Sequence, residues 1–151
     1  MSDQPIQCHV ADWSLDRDTL KSIRQQVFVD EQKVPLELEW DEYDDSATHF
    51  IVTLSAEAIA CARLKDDGQV GRMAVLKEYR NQGIGRQLLR FVIRTAAEKN
   101  IDDVYLHAQV SAIPFYEKQG FKTVGEIFYE ANIPHREMLK KACQGNSYQV
   151  L

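Results

Sequence analysis

A short glycine-containing segment between a strand and a helix constrains this chain more than any other feature. The segment reads Arg80-Asn81-Gln82-Gly83-Ile84-Gly85-Arg86. Residues 70–76 before it have the apolar character of a strand. Residues 83–99 after it repeat apolar side chains with the period of an amphipathic helix. The segment is therefore predicted to lie at the N-terminus of a helix that follows directly on a strand.

Such a helix start is suited to binding an anion. The first turn has backbone N–H groups without intrahelical partners, and it carries the positive end of the helix dipole. Glycine has no Cβ, so a bulky anion can approach the backbone at Gly83 and Gly85. Arg80 and Arg86 add positive charge nearby. The segment predicts a pyrophosphate-binding site.

Two other phosphate-binding motifs do not fit this segment. A dinucleotide-binding GxGxxG fingerprint would need a third glycine at position 88, where the chain has Leu88. A P-loop would end in Gly-Lys-Ser or Gly-Lys-Thr, which the segment lacks. The remaining alternative is that Gly83 and Gly85 serve only to begin the helix.

The other periodicities predict one α+β domain, with a mixed α/β sheet, over residues 1–151. The predicted order is β-α-βββ-α-β-α-ββ, with the strand–helix–strand unit of residues 70–108 expected to form a parallel pair. The predicted strands span residues 6–11, 48–54, 58–64, 70–76, 103–108, 121–128 and 135–140. The predicted helices span residues 15–31, 83–99 and 114–119.

Composition argues against several classes of function. The net charge of −5 argues against a nucleic-acid partner, because phosphate backbones are bound by basic patches. We find no apolar run of the length that a membrane helix needs and no secretion signal, so a cytoplasmic protein is expected. The three cysteines and four histidines are scattered without metal-ligand spacing, so reduced thiols and no metal are expected.

The residues around the glycine segment resemble the GNAT superfamily of N-acetyltransferases. The pattern Arg80-x-x-Gly83-x-Gly85 resembles the family signature R/Q-x-x-G-x-G/A, and residues 114–121 resemble the family's FYEKxGF segment. Residues 27–32, 48–50 and 133–135 further resemble the ElaA-like branch of small bacterial members. The resemblance implies the GNAT fold, acetyl-CoA as co-substrate, and a cofactor site formed by Arg80, Asn81, Gln82, Gly83, Ile84, Gly85 and Arg86.

The resemblance also implies roles for residues outside the signature. The family strand whose backbone contacts the pantetheine arm and the acetyl carbonyl corresponds here to Met73, Ala74 and Val75. Many members have Asn after the fifth strand, whereas this chain has Gln109, whose amide can make a similar contact. Tyr116 matches the tyrosine that protonates the leaving thiolate, and packing against Phe115 and Phe121 is the alternative.

The chemistry requires a neutral amine, which indicates a general base. An alkyl amine with a pKa near 10.4 is neutral in about one molecule in 2,500 at pH 7, a cost of about 4.6 kcal/mol. Glu31, at the predicted end of the first helix, is the candidate base, and a solvated helix-end glutamate is the alternative. His49 and His135 alternate with apolar neighbours and are expected to be core histidines.

The acceptor is predicted to be a primary amine of a small cationic molecule or peptide. The acid-rich residues 37–45 motivate this prediction. A non-catalytic CoA-binding sensor or interaction module of the same fold is the alternative function. A homodimer is compatible with the sequence.

Overall fold

The computed structural model describes residues 6–35 and 40–142 of the chain. Strands are β1 (Ile6–Ala11), β2 (Thr48–Leu54), β3 (Glu57–Leu64), β4 (Val70–Val75), β5 (Asp103–Gln109), β6 (Lys122–Glu130) and β7 (Ile133–Lys141). Helices are α1 (Trp13–Arg24), α2 (Ile84–Glu98) and α3 (Ile113–Lys118). Short 3₁₀ turns occupy Glu42–Asp44, Lys77–Tyr79 and Val110–Ala112. This order confirms the predicted β-α-βββ-α-β-α-ββ arrangement.

The strands form two antiparallel sheets that meet at one point. One sheet has the order β1-β2-β3-β4, and the other has the order β5-β7-β6. A single parallel bridge between Gln69 and Tyr105 connects β4 to β5 at their beginnings. The predicted parallel pair therefore exists only at this bridge, and the two strands diverge beyond it. Both strands present an edge to the gap between the sheets.

A bulge in β4 follows the bridge between the sheets. Gly71 to Ala74 on β4 lie opposite Arg63 to Cys61 on β3, so β4 has one more residue than its partner over this stretch. Arg72 has a φ of 48°, which is unusual for a residue with a side chain. A bulge bends its strand and interrupts regular pairing. This bulge therefore changes the course of β4 where it borders the gap.

Helix α2 packs its apolar face against the first sheet. Leu88, Leu89 and Val92 are fully buried, together with Phe50 and Ile59 of the sheet. The apolar period read from residues 83–99 thus marks the face that the helix buries. Burying this face fixes the helix axis, and with it the position of the glycine segment at the N-terminus of α2.

Helix α1 begins and ends differently from the prediction. It begins at Trp13, because the Asp12 side chain accepts a hydrogen bond from the backbone N–H of Ser14 at 2.9 Å. It ends at Arg24, and the chain continues as a π-helix over Gln25–Glu31. Such wide turns occur often at functional sites. Here the π-helix carries Glu31 and Gln32 to the neighbourhood of β4 and β5.

A buried ion network joins the loop before β2 to the first sheet. The Asp44 carboxylate accepts hydrogen bonds from Arg24 and from Arg63, each at 3.0 Å, and all three residues are at most 4% exposed. Asp41 accepts from Arg63 at 2.7 Å and from Arg72 at 3.0 Å. Burial raises the pKa of Asp44, but the hydrogen bonds and charges of the two arginines outweigh it, so the pKa is lowered.

Replacing Asp44 by alanine is expected to lower the free energy of unfolding by roughly 3–5 kcal/mol, because two buried guanidinium groups lose this carboxylate. The lowered pKa of Asp44 adds stability that is present above its unfolded value near 3.9 and is lost as pH falls through the folded value. Urea unfolding at pH 7 and at acidic pH measures both effects. The exposed neighbour Glu42 supplies the control Glu42→Ala, and equal losses in the two variants would contradict the prediction.

Candidate active site

The glycine segment forms a turn that leaves the start of α2 open. Gly83 adopts a left-handed conformation with a φ of 83°, and it offers no side chain to cap the helix. Asn81 also has a positive φ, of 64°. The first intrahelical bond runs from the N–H of Gln87 to the carbonyl of Gly83 at 3.1 Å. The N–H groups of the preceding turn are therefore available to an external anion.

Two side chains fix this turn to its surroundings. The Arg80 guanidinium donates through Nε to the carbonyl of Val75 at 2.9 Å, and through Nη1 and Nη2 to the two Glu31 carboxylate oxygens at 2.7 Å each. Arg80 thus ties the end of β4 to the end of the π-helix. Hydrogen bonds from Arg80 lower the pKa of Glu31.

The other polar residues of the turn face solvent. Asn81, Gln82 and Arg86 are exposed. Gln82 donates to the carbonyl of Glu78 at 3.5 Å, and a Cβ placed on Gly83 would lie 3.5 Å from the Arg86 guanidinium. The Arg86 guanidinium therefore lies close to Gly83 in the open turn, whereas the Arg80 guanidinium is bound to the Glu31 carboxylate.

A cavity of about 610 Å³ fills the gap between the diverging sheets. Its walls come from β4 and its bulge, from the ends of β5 and β7, and from the π-helix. Residues on its walls include Gln32, Arg72, Met73, Gln109, Tyr116 and His135. The sequence-predicted residues Met73, Gln109 and Tyr116 are thus brought together around one space.

The remaining predicted residues of β4 point elsewhere. Ala74 is 3% exposed and belongs to the apolar cluster beneath α1. The Val75 side chain would lie 3.9 Å from a Cβ placed on Gly85. Glu31 lies at the glycine turn and is not among the described residues that line the cavity. Its predicted role as a general base stays a prediction.

Tyr116 packs against its aromatic neighbours and also borders the cavity, and its role as the catalytic acid stays a prediction. Its ring contacts Phe115 and Phe121 edge-on, with centroids 5.1 and 5.8 Å apart, and it also lines the cavity. Burial raises the pKa of Tyr116 to about 12. The phenol therefore stays protonated at neutral pH and can donate a hydrogen bond.

Gln109 meets a partner across the cavity. Its side-chain amide donates to the Gln32 amide oxygen at 2.9 Å, and this bond links the end of β5 to the end of the π-helix. A polar bond of this kind can be exchanged for bonds to a ligand with amide groups. The substitution of Gln for the usual Asn keeps an amide at this place.

A sequence model described as the acetyltransferase (GNAT) domain matches residues 15–142. This chain belongs to the GNAT acetyltransferase family. It is 36% identical over 122 residues to YjcF, an uncharacterized N-acetyltransferase of Bacillus subtilis, with 78% of this chain and 87% of that protein covered. It is 32% identical over 133 residues to the protein ElaA of Escherichia coli, with 83% and 87% covered.

The crystal structure of Escherichia coli ElaA matches with a TM-score of 0.81 and 29% identity, covering 90% of this chain and 99% of that chain. These findings confirm the predicted GNAT fold, the resemblance to the ElaA-like branch and the prediction of an N-acetyltransferase. GNAT proteins use acetyl-CoA, and the open turn of this GNAT chain has the free N–H groups and the adjacent cation that a pyrophosphate needs.

Three cavity residues were missed as candidates by the sequence analysis. His107, Glu130 and His135 come from three strands and meet at the end of the cavity formed by the second sheet. His135 was expected to be a core histidine, and it is indeed 8% exposed, yet it lines the cavity. The segment Ile133-Pro134-His135 was the available signal, but pairing across strands could not be read from the sequence.

Two further findings concern only the described residues. No helix among them is both long and apolar enough to cross a membrane. No group of three or more His, Cys, Asp or Glu side chains in residues 6–35 and 40–142 is arranged to hold a metal ion.

Replacing Gly83 by alanine is expected to weaken CoA binding at least tenfold and to cost about 1–2 kcal/mol of stability, because a Cβ strains its left-handed backbone. Gly125→Ala is the matched control, since Gly125 on β6 also has a left-handed φ of 77° and a Cβ there would meet nothing within 4 Å. Calorimetric titration with CoA and urea unfolding measure the two effects. Equal CoA affinity in Gly83→Ala and the wild type would show that the turn is not the pyrophosphate site.

Proposed function

We propose that this chain transfers the acetyl group of acetyl-CoA to a primary amine of a small molecule or peptide. The observation that carries the proposal is the open start of α2 beside a cavity lined by Met73 and Tyr116. A phosphate-binding turn alone fits any CoA-binding protein. A cavity next to it, with room for a second molecule and a phenol that can donate a proton, fits acyl transfer.

The residues around the cavity fit the successive steps of the reaction. The N–H groups at the start of α2 bind the pyrophosphate, and the free edge of β4 pairs with the pantetheine arm. The neutral amine attacks the thioester carbonyl, so that a C–N bond forms and the C–S bond breaks. A backbone N–H of the Met73–Val75 stretch stabilises the oxyanion, and the Tyr116 phenol donates to the departing thiolate.

The acceptor approaches as an ammonium ion, so a free carboxylate in the cavity would favour its entry. Within the acid-rich residues 37–45, Asp41 is held by Arg63 and Arg72, and Asp44 by Arg24 and Arg63. Residues 36–39 lie outside the described residues. The Glu130 carboxylate lines the cavity, and its partners among the described residues are the side chains of His107 and His135. We therefore assign the attraction of a cationic amine to Glu130.

Incubation with acetyl-CoA and a panel of primary amines is expected to release free CoA thiol, which a thiol reagent measures. Tyr116→Phe should lower kcat about 10–100-fold while CoA affinity stays unchanged, because the phenol acts on the leaving group. Tyr129→Phe is the control, since Tyr129 is 69% exposed on β6. Tight CoA binding without turnover of any amine would instead support a CoA-binding module.

Glu31→Gln is expected to change kcat by less than about threefold, because both Glu31 oxygens are occupied by Arg80 and its pKa is lowered, which weakens it as a base. Asp30→Asn, at the exposed neighbouring position, is the control. Steady-state kinetics with saturating acetyl-CoA measures the effect. A loss of kcat of a hundredfold or more with unchanged KM would establish Glu31 as the general base.

A further inference from the structure

A cluster of histidine and glutamate side chains lies at the end of the cavity that the second sheet forms. Gln109 pairs with His135, and His107 pairs with Glu137, across β5 and β7. Residues paired across antiparallel strands project from the same face of a sheet, and positions two apart share that face. The register therefore places His107, Gln109, His135 and Glu137 on the face that borders the cavity.

The hydrogen bonding of His135 fixes its tautomer. Its Nδ1 lies 2.7 Å from the carbonyl oxygen of Ile133. A carbonyl oxygen can only accept, so Nδ1 carries the hydrogen and donates it. In the neutral imidazole the lone pair then resides on Nε2, the form that a general base requires.

Glu130 stands beside that lone pair. One carboxylate oxygen accepts from Nδ1 of His107 at 2.9 Å, and the other lies 3.9 Å from Nε2 of His135. The second distance is too long for a hydrogen bond in the neutral state. Once His135 takes up a proton at Nε2, the negative charge of Glu130 stabilises the imidazolium and can accept its hydrogen.

Aromatic packing holds both rings in place. Phe128 stacks on His135 with centroids 5.9 Å apart and an angle of 22°, and it meets His107 edge-on at 5.0 Å. Glu137 lies 3.8 Å from Nε2 of His107. The rings therefore keep their orientation toward the cavity without a bound ligand.

The other acids near the cavity are less suited to act as a base. Asp41 accepts hydrogen bonds from two arginines, and Glu31 pairs through both oxygens with Arg80. Glu130 lies beside His135 and also pairs with His107, and Glu137 lies beside His107. The other charged or titratable side chains of the cavity are Asp41, Tyr43, Arg63, Lys65, Arg72 and Tyr116.

We propose that His135 is the general base of acetyl transfer, with Glu130 and His107 as its positioning residues. This proposal rests on the proposed function. His135 Nε2 takes one proton from the bound ammonium, and the resulting neutral amine attacks the thioester carbon. The C–N bond forms, the C–S bond breaks, and the second nitrogen proton passes to the thiolate by way of Tyr116 or water. The products are the N-acetyl amine and CoA thiol, and the first proton leaves His135 for solvent.

His135→Gln is expected to lower kcat/KM for the amine about 10²–10⁴-fold at pH 7, while CoA affinity stays within about twofold of the wild type. The variant's rate should then rise about tenfold per pH unit as the free amine becomes neutral, and approach the wild-type rate near the amine's own pKa. Glu130→Gln should lower kcat/KM for the amine less than His135→Gln, and its deficit should likewise shrink as the amine becomes neutral at higher pH. His9→Gln, at an exposed position on β1, is the matched control.

The outcomes separate this proposal from the proposed function. Turnover by the wild type in the same assay tests acetyl transfer by itself. His135→Gln with wild-type turnover and a wild-type pH profile overturns the role of His135 and leaves acetyl transfer intact. A loss of rate that stays constant at all pH values also overturns it, because a merely structural role would not be relieved by deprotonating the amine. Partial rescue of a His135→Ala variant by added imidazole would support the proposal.

Discussion

The separation of β4 from β5 is the constraint on which the rest of the structure depends. After one parallel bridge between Gln69 and Tyr105 the two strands stop pairing, although each is the edge of its own sheet. Backbone groups at such edges need partners, and a fold that leaves them open must supply those partners from elsewhere. In a GNAT acetyltransferase the pantetheine arm is a suitable partner, because it is a chain of amides with the same bonding capacity as a strand.

Ion pairs between side chains hold the segments that border the gap between β4 and β5. The Arg24–Asp44–Arg63 network anchors the loop before β2 to the first sheet, and Asp41 connects that loop to Arg72 in the bulge of β4. On the other side Arg80 joins the π-helix to the end of β4. These charges serve the architecture of the cavity, and the acids among them are therefore not available to recognise an acceptor.

Local patterns in the sequence were sufficient to predict the elements and the turn at the start of α2. The bounds of β1 and β2 match the predicted residues 6–11 and 48–54, because alternating side chains mark a strand directly. The open start of α2 followed from two glycines and an apolar period. The bulge at Arg72 and the π-helix at Gln25–Glu31 left no local signal, since each adjusts the backbone to contacts made far along the chain.

Contacts between residues far apart in the chain also limited the prediction of the candidate site. Tyr116 could be proposed from the sequence because it lies in a contiguous motif, whereas Glu130 and His135 are brought together by the register of β6 and β7. The acid-rich loop was interpreted by its composition alone, but Asp44 is buried against two arginines that come from α1 and β3. Composition reports the charge of a segment and carries no information on which charges are already neutralised by distant partners.

Among the described strands, none pairs with β4 on the side that borders the gap, and this open edge has a consequence for the stability of the protein in the cell. A strand edge without a partner is a template on which another chain can pair, and a molecule bound along this edge would block such pairing. A co-substrate that covers this edge also stabilises the folded state, by about 2.7 kcal/mol when present at 100 times its Kd. The abundance of such a protein would then follow the supply of its acyl donor. When the donor is depleted, the edge is exposed and a larger fraction of the protein is unfolded and open to proteases.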